Sequence, residues 1–260
     1  MAQIDAQDIG ALAAKLGITL TDTGTGRPVL LLHGGGGPFT VAGFAATLAQ
    51  DHRVIVPTHP GFAGTPRRDD MTSVKDLARL YAALLERARL RDVLVIGFSM
   101  GGWIAAEMAC LDASRIAGLV LANATGITVP GFSMLDVFSI PPAELANYSY
   151  HAPDKFRIDP SNLTEQQQAA MRANFAALAV YGGAGSDPDL RERLTKVTTP
   201  ALVVWGESDR VVLPGYGQAF AAAFAKGRFV PIKDCGHMPQ IEQPGQLREL
   251  VRAFEMAPVG

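Results

Sequence analysis

The sequence predicts an α/β protein with a mostly parallel central sheet and helices on both of its faces. Continuous apolar runs at residues 28–32, 93–96 and 200–205 are typical of strands that are covered on both sides. Segments with helical character separate these runs, and this alternation is the pattern of a parallel sheet. A length of 260 residues is sufficient for one large domain with a deep core.

The alternation is regular over residues 1–125, which we assign to the first part of the core. The strands predicted in this part cover residues 18–23, 28–32, 53–57, 93–96 and 116–121. The helices predicted in this part cover residues 9–16, 41–50, 74–89 and 104–110. Ser73 is the expected N-cap of the longest of these helices.

Strands and helices stop alternating in residues 126–190. This segment contains Pro130, Pro141, Pro142, Pro153 and Pro160 together with scattered aromatic residues. Only residues 164–180 have a helical period there. We predict a helical lid whose aromatic side chains partly form its own core and partly line an apolar pocket.

The alternation resumes in residues 191–260, which we assign to the second part of the core. The strands predicted there cover residues 200–205 and 228–232. The predicted helices cover residues 215–225 and 244–256. Loops that carry polar residues follow both strands, at the edge of the sheet where ligands bind in such folds.

The composition argues against two classes of partner. The net charge is −2 and the sequence has no basic block, so we expect neither nucleic acid nor an anionic membrane surface as a partner. No apolar run approaches the ~18 residues that a membrane span requires. The expected partner is a small-molecule substrate, and the oligomeric state is left open, with a homodimer as one option.

The two cysteines, Cys110 and Cys235, form no C-x-x-C pair, and no group of metal ligands surrounds them. We therefore expect buried free thiols in a reducing compartment, and neither a metal nor another cofactor. Residues 1–10 lack the basic and apolar pattern of a signal peptide. These features predict a cytoplasmic protein.

Residues 97–101, Gly-Phe-Ser-Met-Gly, fit the G-x-S-x-G pattern of a nucleophile elbow between a strand and a helix. Such a turn holds Ser99 in a strained backbone conformation and directs its hydroxyl outward. Gly97 and Gly101 are needed because a Cβ at either position would collide with the adjacent strand or helix. The N-terminal end of the helix also directs free N–H groups at the same point.

A run of four glycines at residues 34–37 follows the strand predicted at 28–32. Four consecutive glycines free the backbone to turn its N–H groups inward. A phosphate-binding loop would need a Lys-Ser/Thr ending or a GxGxxG motif before a helix, and both are absent. We favour an oxyanion hole formed by the backbone N–H groups of Gly35 and Met100.

A serine hydroxyl needs a base that accepts its proton, and His237 is the candidate for Ser99. The imidazole in turn needs an acid on its other nitrogen, for which Asp209 is our choice. The rival acids, which have weaker positions, are Asp234, Glu207, Asp187 and Asp189. Two other histidines are assigned structural roles: His59, and His33, which we expect to hold the glycine loop.

With these motifs the chain resembles the α/β-hydrolase family over residues 18–255. The motifs that carry the resemblance are HGGGG at 33–37, HPGFAGT at 59–65, GFSMGG at 97–102, WGESD at 205–209 and GHMPQIEQP at 236–244. The resemblance implies a sheet of about eight strands, a cap over the site and hydrolysis through an acyl-serine intermediate.

Within the family, GGGGP and SMGG are similar to the meta-cleavage-product hydrolases, which cleave carbon–carbon bonds. Phe98 and Met238 stand where those enzymes commonly have asparagine and tryptophan, and this difference argues against a carbon–carbon substrate. Haloalkane dehalogenases and epoxide hydrolases resemble the chain in fold but have aspartate in place of Ser99. The residues expected to bind the substrate are Gly36, Phe98, Trp103, Phe138 and Met238.

Three functions are considered. The favoured one is a cofactor-free serine hydrolase for a small or medium, largely apolar carboxylic ester or a related acyl compound. The second is a carbon–carbon bond hydrolase, in which Arg157, Arg172 or Arg191 would anchor an acidic substrate. The third is a ligand-binding module on a hydrolase scaffold, against which the complete serine, histidine and aspartate set argues, because binding alone does not require it.

Overall fold

The strands of the protein are built mainly from aliphatic runs whose side chains are buried. The computed structural model describes residues 9–183 and 185–257. The strands are β1 (Thr19–Thr23), β2 (Arg27–Leu32), β3 (His52–Thr58), β4 (Val93–Phe98), β5 (Ile116–Ala122), β6 (Gly126–Ile127), β7 (Ser186–Asp187), β8 (Ala201–Gly206) and β9 (Gly227–Ile232). Every residue of β4 and of β8 is buried, as expected for central strands of a sheet that is covered on both sides.

Seven strands of the described residues form the central sheet, in the order β1-β3-β2-β4-β5-β8-β9. β1 is antiparallel to β3, and the other neighbouring pairs are parallel, so the prediction of a mostly parallel sheet is confirmed. The resemblance implied about eight strands. The described chain before β1 forms a helix, α1 (Ile9–Lys15), and therefore adds no strand at that edge.

Helices connect most of the parallel strands. The remaining helices are α2 (Phe39–Leu48), α3 (Val74–Arg87), α4 (Met100–Leu111), α5 (Leu145–Ser149), α6 (Pro153–Phe156), α7 (Glu165–Gly182), α8 (Leu190–Leu194), α9 (Pro214–Ala221), α10 (Pro239–Glu242) and α11 (Pro244–Met256). Ser73 caps α3 as predicted, and Asp76 completes a capping box with it. The short helices α8 and α10 were not predicted, because a single helical turn has too few residues to display a period.

Side chains alternate across the sheet and build one core on each face. Leu30 and Leu32 of β2 pack in a cluster with buried residues of α1, α3, α4 and α9. Leu31 of the same strand packs in a second cluster with residues of α2 and α11. Helices on both faces of the sheet are therefore confirmed.

Residues 126–190, which we call the inserted segment, leave the central sheet after β5 and return to it before β8. β6 and β7 pair in parallel and bring the two ends of the segment together. Between them lie α5, α6 and α7, and α7 corresponds to the helix predicted at residues 164–180. The β6–β7 pair was not predicted, since two residues are too few to show an alternating pattern.

The two cysteines are free. Cys235 is buried and Cys110 is half-buried, and burial raises the pKa of both thiols, that of Cys110 to about 11. None of the helices in the described part of the chain has the length and apolarity needed to cross a bilayer. The predicted lack of a signal peptide concerns residues 1–10, of which 1–8 lie outside the described residues.

Candidate active site

Ser99 lies at the sharp turn between β4 and α4. Its φ and ψ are 51° and −118°. Residues other than glycine rarely adopt this backbone conformation, so the surrounding structure must enforce it. A Cβ on Gly97 would lie 2.2 Å from the carbonyl oxygen of Gly101, and one on Gly101 would lie 2.2 Å from that of Leu32. Both contacts are with backbone atoms, so the turn requires glycine at these two positions, as expected.

The hydroxyl of Ser99, the ring of His237 and the carboxylate of Asp209 form a continuous hydrogen-bonded chain. Nε2 of His237 is 3.0 Å from Oγ of Ser99, and Nδ1 is 2.8 Å from Oδ2 of Asp209. Asp209 is 1% exposed and His237 is 8% exposed. The carboxylate can only accept, so Nδ1 donates to it and Nε2 is left to accept the serine proton.

Asp209 is held by groups that sequence reasoning did not identify. The N–H groups of Val211 and Val212 donate to its Oδ1, at 2.8 and 2.9 Å. Nδ2 of Asn123 donates to Oδ2 at 2.7 Å. Asn123 directly follows β5, the strand between β4 and β8 in the sheet, and a polar residue directly after a predicted strand is the sequence signal that indicates this position.

The rival acids lie elsewhere. The side chain of Asp234 is 78% exposed and its nearest histidine is His151, at 3.7 Å. Asp187 pairs with Lys75 and Arg193. Glu207 and Asp189 are exposed. Among the acids considered, Asp209 alone contacts the ring of His237.

The glycine loop passes close to Ser99. A Cβ on Gly34 would lie 3.0 Å from Cβ of Ser99 and 3.0 Å from the carbonyl oxygen of Phe98. Within residues 9–183 and 185–257, the N–H groups of Gly35 and Met100 donate no hydrogen bond to the protein. These are the two donors that the sequence indicated for an oxyanion.

Two buried histidines support the glycine loop from behind. Nδ1 of His33 is 2.8 Å from the carbonyl oxygen of Gly34, and its Nε2 accepts a bond of 3.1 Å from the N–H of His59. Nε2 of His59 is 2.9 Å from the carbonyl oxygen of His33, and its Nδ1 is 2.6 Å from the hydroxyl of Tyr81. Each ring therefore has one donor and one acceptor role, which is the pattern of neutral imidazole.

Burial determines the charge state of these two rings. Burial lowers the pKa of His33 from 6.5 to about 4, although its bond to the Gly34 carbonyl acts in the opposite direction. Burial, and then repulsion by His33, lower the pKa of His59 well below 6.5. The structural roles expected of both histidines agree with this arrangement, since the hydrogen-bond partners of the two rings in the described residues are Gly34, Tyr81 and each other.

A cavity of about 1210 Å³ opens above Ser99 and His237. Its lining includes all five residues expected to bind substrate, namely Gly36, Phe98, Trp103, Phe138 and Met238. Aromatic residues of the inserted segment contribute further to this lining: Phe132, Tyr150, Phe156 and Phe175. Tyr181 instead packs in the core on one face of the central sheet, and not in a core of the segment's own, as was expected for the aromatic residues outside the pocket.

The inserted segment also holds the loops that carry the histidine and the aspartate. The N–H of His237 donates to the carbonyl oxygen of Ser149 at 2.7 Å, and the N–H of Arg210 donates to that of Tyr148 at 3.2 Å. Oε1 of Glu242 accepts from the N–H of His151 at 2.9 Å. In the described residues, no group of three or more His, Cys, Asp or Glu side chains has an arrangement that could hold a metal ion.

Comparison with known proteins places this site in a family. A family model described as the alpha/beta hydrolase family matches residues 29–250. The chain belongs to this family. The α/β-hydrolase fold that the sequence motifs implied is therefore confirmed.

The α/β hydrolase is similar to curated hydrolases over almost its full length. A 2-hydroxy-6-oxononadienedioate/2-hydroxy-6-oxononatrienedioate hydrolase of Klebsiella pneumoniae subsp. pneumoniae is 27% identical, over 92% of this chain and 91% of the relative. A pimeloyl (acyl-carrier protein) methyl ester esterase of Aeromonas hydrophila subsp. hydrophila is 28% identical, over 92% of this chain and 99% of the relative. The relatives thus include both carboxylic ester hydrolases and dienedioate hydrolases.

A solved structure, that of a thermophilic esterase from Thermogutta terrifontis, superposes with a TM-score of 0.75. It is 26% identical and covers 92% of each chain. The α/β hydrolase described here therefore resembles this esterase in fold.

Proposed function

We propose that this α/β hydrolase is a serine hydrolase that cleaves small or medium, largely apolar carboxylic esters or related acyl compounds. The observation that carries the proposal is the hydrogen-bonded chain from Ser99 through His237 to Asp209, at the floor of a large and mainly apolar cavity. Each member has the partner that its role requires.

The proposed reaction begins when Nε2 of His237 takes the proton of the Ser99 hydroxyl and Oγ attacks the ester carbonyl carbon. The negative charge that develops on the carbonyl oxygen receives hydrogen bonds from the N–H groups of Gly35 and Met100. The carbon–oxygen bond to the alcohol then breaks, and the protonated His237 donates its proton to the leaving alcohol. Water, deprotonated by His237, attacks the acyl-serine in the same way, releases the acid and restores Ser99.

We propose that the inserted segment is a lid, between a first core part of residues 1–125 and a second of residues 191–260. The glycine loop, Ser99 and His237 form the floor of the cavity, whereas residues 126–186 contribute much of its wall. The apolar wall favours an apolar acyl group and, by excluding water, strengthens the electrostatic interactions inside.

A second candidate is hydrolysis of a carbon–carbon bond in an acidic ring-fission product. The similarity to the dienedioate hydrolase of Klebsiella pneumoniae favours it. Such a substrate needs a cation, and Arg157 and Arg172 line the cavity. Arg157 already donates to the side chain of Asn147 at 2.6 Å, so Arg172 is the better anchor. Arg191, the third arginine considered, is absent from the cavity lining among the described residues.

The test is a hydrolysis assay with 4-nitrophenyl esters of acetate, butyrate and hexanoate, and with one ring-fission dienoate. The Ser99→Ala variant serves as the blank, because it keeps the cavity and lacks the nucleophile. We expect ester turnover by the wild type and a loss of at least about 10³-fold in the variant.

A fluorophosphonate probe separates an enzyme from a binding module. We expect rapid covalent labelling at Ser99 and none in Ser99→Ala. Cleavage of the dienoate that falls on replacing Arg172 by alanine would favour the second candidate. If Ser99→Ala turned over the esters as fast as the wild type, or the wild type reacted with neither substrate nor probe, the proposed function would be wrong.

A further inference from the structure

Helix α7 of the inserted segment lies directly on the glycine loop. A Cβ on Gly35 would be 2.6 Å from Cδ2 of Leu178, and a Cβ on Gly37 would be 2.4 Å from Nδ2 of Asn174. Asn174 and Leu178 are one helical turn apart, so they share a face of α7. The inserted segment therefore contacts the backbone that carries one of the two proposed oxyanion donors.

Asn174 joins two loops of the core with its side-chain amide. Its Nδ2 donates to the carbonyl oxygen of Gly36 at 2.9 Å, and its Oδ1 accepts from the N–H of Ala63 at 2.7 Å. The residue is 2% exposed. Because a carbonyl can only accept and an N–H can only donate, these two partners determine which way the amide points.

The glycines of the loop that Asn174 contacts restrain the backbone little by themselves, so the loop depends on bonds from other residues, among them that of Nδ1 of His33 to the Gly34 carbonyl. Residues 34–37 are glycines, which lose more conformational freedom on ordering than any other residue. Within the loop, the N–H of Gly37 donates to the carbonyl oxygen of Gly34 at 3.1 Å. The bond from Asn174 holds the carbonyl group of Gly36, the residue after Gly35, against helix α7.

We infer that Asn174 is a positioning residue that holds the glycine loop so that the Gly35 N–H faces the carbonyl oxygen of the bound substrate. The inference rests on the proposed function, since it assigns the inserted segment a part in the oxyanion hole of that reaction. In this role Asn174 does not contact the substrate, and it acts through its bond to the Gly36 carbonyl.

The experiment compares Asn174→Asp and Asn174→Ala with the wild type, using 4-nitrophenyl butyrate. The aspartate variant keeps an acceptor for the Ala63 N–H but presents a carboxylate to the Gly36 carbonyl, which repels it. The alanine variant removes both bonds. Gln166→Ala, an exposed residue on the same helix, is the control and should retain wild-type kinetics.

For both variants we expect kcat to fall by about 10-fold to 100-fold with KM changed less than threefold, because a displaced donor weakens binding of the transition state alone. The affinity for a butyl trifluoromethyl ketone, which forms an oxyanion with Ser99, should fall by the same factor as kcat/KM. In Asn174→Asp the activity relative to wild type should rise as pH falls, since a protonated carboxyl regains a donor for Gly36.

Two results would overturn the inference. One is a folded variant with kcat within threefold of wild type, and the other is a loss confined to KM or to thermal stability with unchanged ketone affinity. If Asn174→Asp does not fold, the kinetics and ketone affinity of Asn174→Ala test the inference by the same criteria. Failure of the proposed function is distinct, because the wild type itself would then be inactive towards the ester and the fluorophosphonate probe.

Discussion

Asn123, which sequence reasoning missed, bonds the carboxylate that orients the proposed base. Its φ is 48°, in the left-handed region that asparagine tolerates better than most residues. In this conformation its Nδ2 bonds Oδ2 of Asp209, the same oxygen that accepts from Nδ1 of His237. The amide thus limits how that carboxylate oxygen can rotate away from the imidazole.

We predict that Asn123→Gly lowers kcat/KM for 4-nitrophenyl butyrate by about 10-fold, since a hydrogen bond to a charged group contributes about 1.5–3 kcal/mol. Glycine adopts a positive φ without strain, so the substitution removes only side-chain bonds: the short one to Asp209 and two of 3.4 Å, to the Gly236 carbonyl and from the Gly206 N–H. Steady-state kinetics with Asn162→Gly, at an exposed position, provides the control. Wild-type kcat/KM in a folded Asn123→Gly variant would contradict the prediction.

At the scale of the elements, a network of salt bridges connects α4, the helix that follows Ser99, to the end of the inserted segment. Arg193 of α8 donates to Oε2 of Glu107 at 2.7 Å and to Oε1 at 2.8 Å, and reaches Oδ2 of Asp187 at 2.5 Å. Lys75 of α3 lies 2.7 Å from the same Asp187 oxygen. Together these side chains link α3, α4, β7 and α8, so the network supports the base of the segment.

We predict that Arg193→Met lowers the free energy of unfolding by about 3 kcal/mol, because it leaves the buried Glu107 carboxylate without its cation. Glu107 is 1% exposed, and Nε1 of Trp103 would be its remaining donor, at 3.3 Å. Urea denaturation measures the difference. Arg191→Met, on the exposed side of the same helix, should cost less than about 0.5 kcal/mol, and equal losses in the two variants would refute the role of the network.

At the scale of the whole molecule, the buried histidine pair makes stability depend on pH. Burial lowers the pKa of His33 to about 4 in the folded protein, against about 6.5 in an unfolded chain. Between these values the unfolded chain binds a proton that the folded protein does not. The stabilisation is therefore complete above pH 6.5 and is lost progressively as the pH falls towards 4.

We predict that the free energy of unfolding falls by about 3 kcal/mol between pH 7 and pH 4 from His33 alone, with a further loss from His59. Carboxylates with a lowered pKa, such as Asp187 at about 2, contribute mainly below this window. Urea denaturation at several pH values tests the prediction. The exposed His151→Gln should keep the same dependence, and an unfolding free energy that is constant from pH 7 to pH 4 would rule out the assigned origin.

The sheet and the elbow were predictable because local signals encode them. Fully buried strands such as β4 and β8 are apolar along their whole length, and the turn at Ser99 needs glycines at fixed positions. For the inserted segment, the sequence indicated little more than a break in the alternation of strands and helices. Its helices α5 and α6 have five and four residues, too few for a period, and its ends pair through β6 and β7 across about sixty residues of chain.

Local sequence therefore determined the family, the strand–helix order and the three residues proposed for catalysis, because apolar periodicity and glycine turns are properties of short stretches. Long-range contacts determined the remainder of the candidate site. Asn123 meets Asp209, and Asn174 meets Gly36, across many intervening residues. The position of Asn123 after β5 indicates the edge of the sheet that holds the site, but neither asparagine has a neighbour in the chain that indicates its partner. Hydrogen bonds between distant segments form only when packing brings the groups together, so they became visible in the folded structure alone.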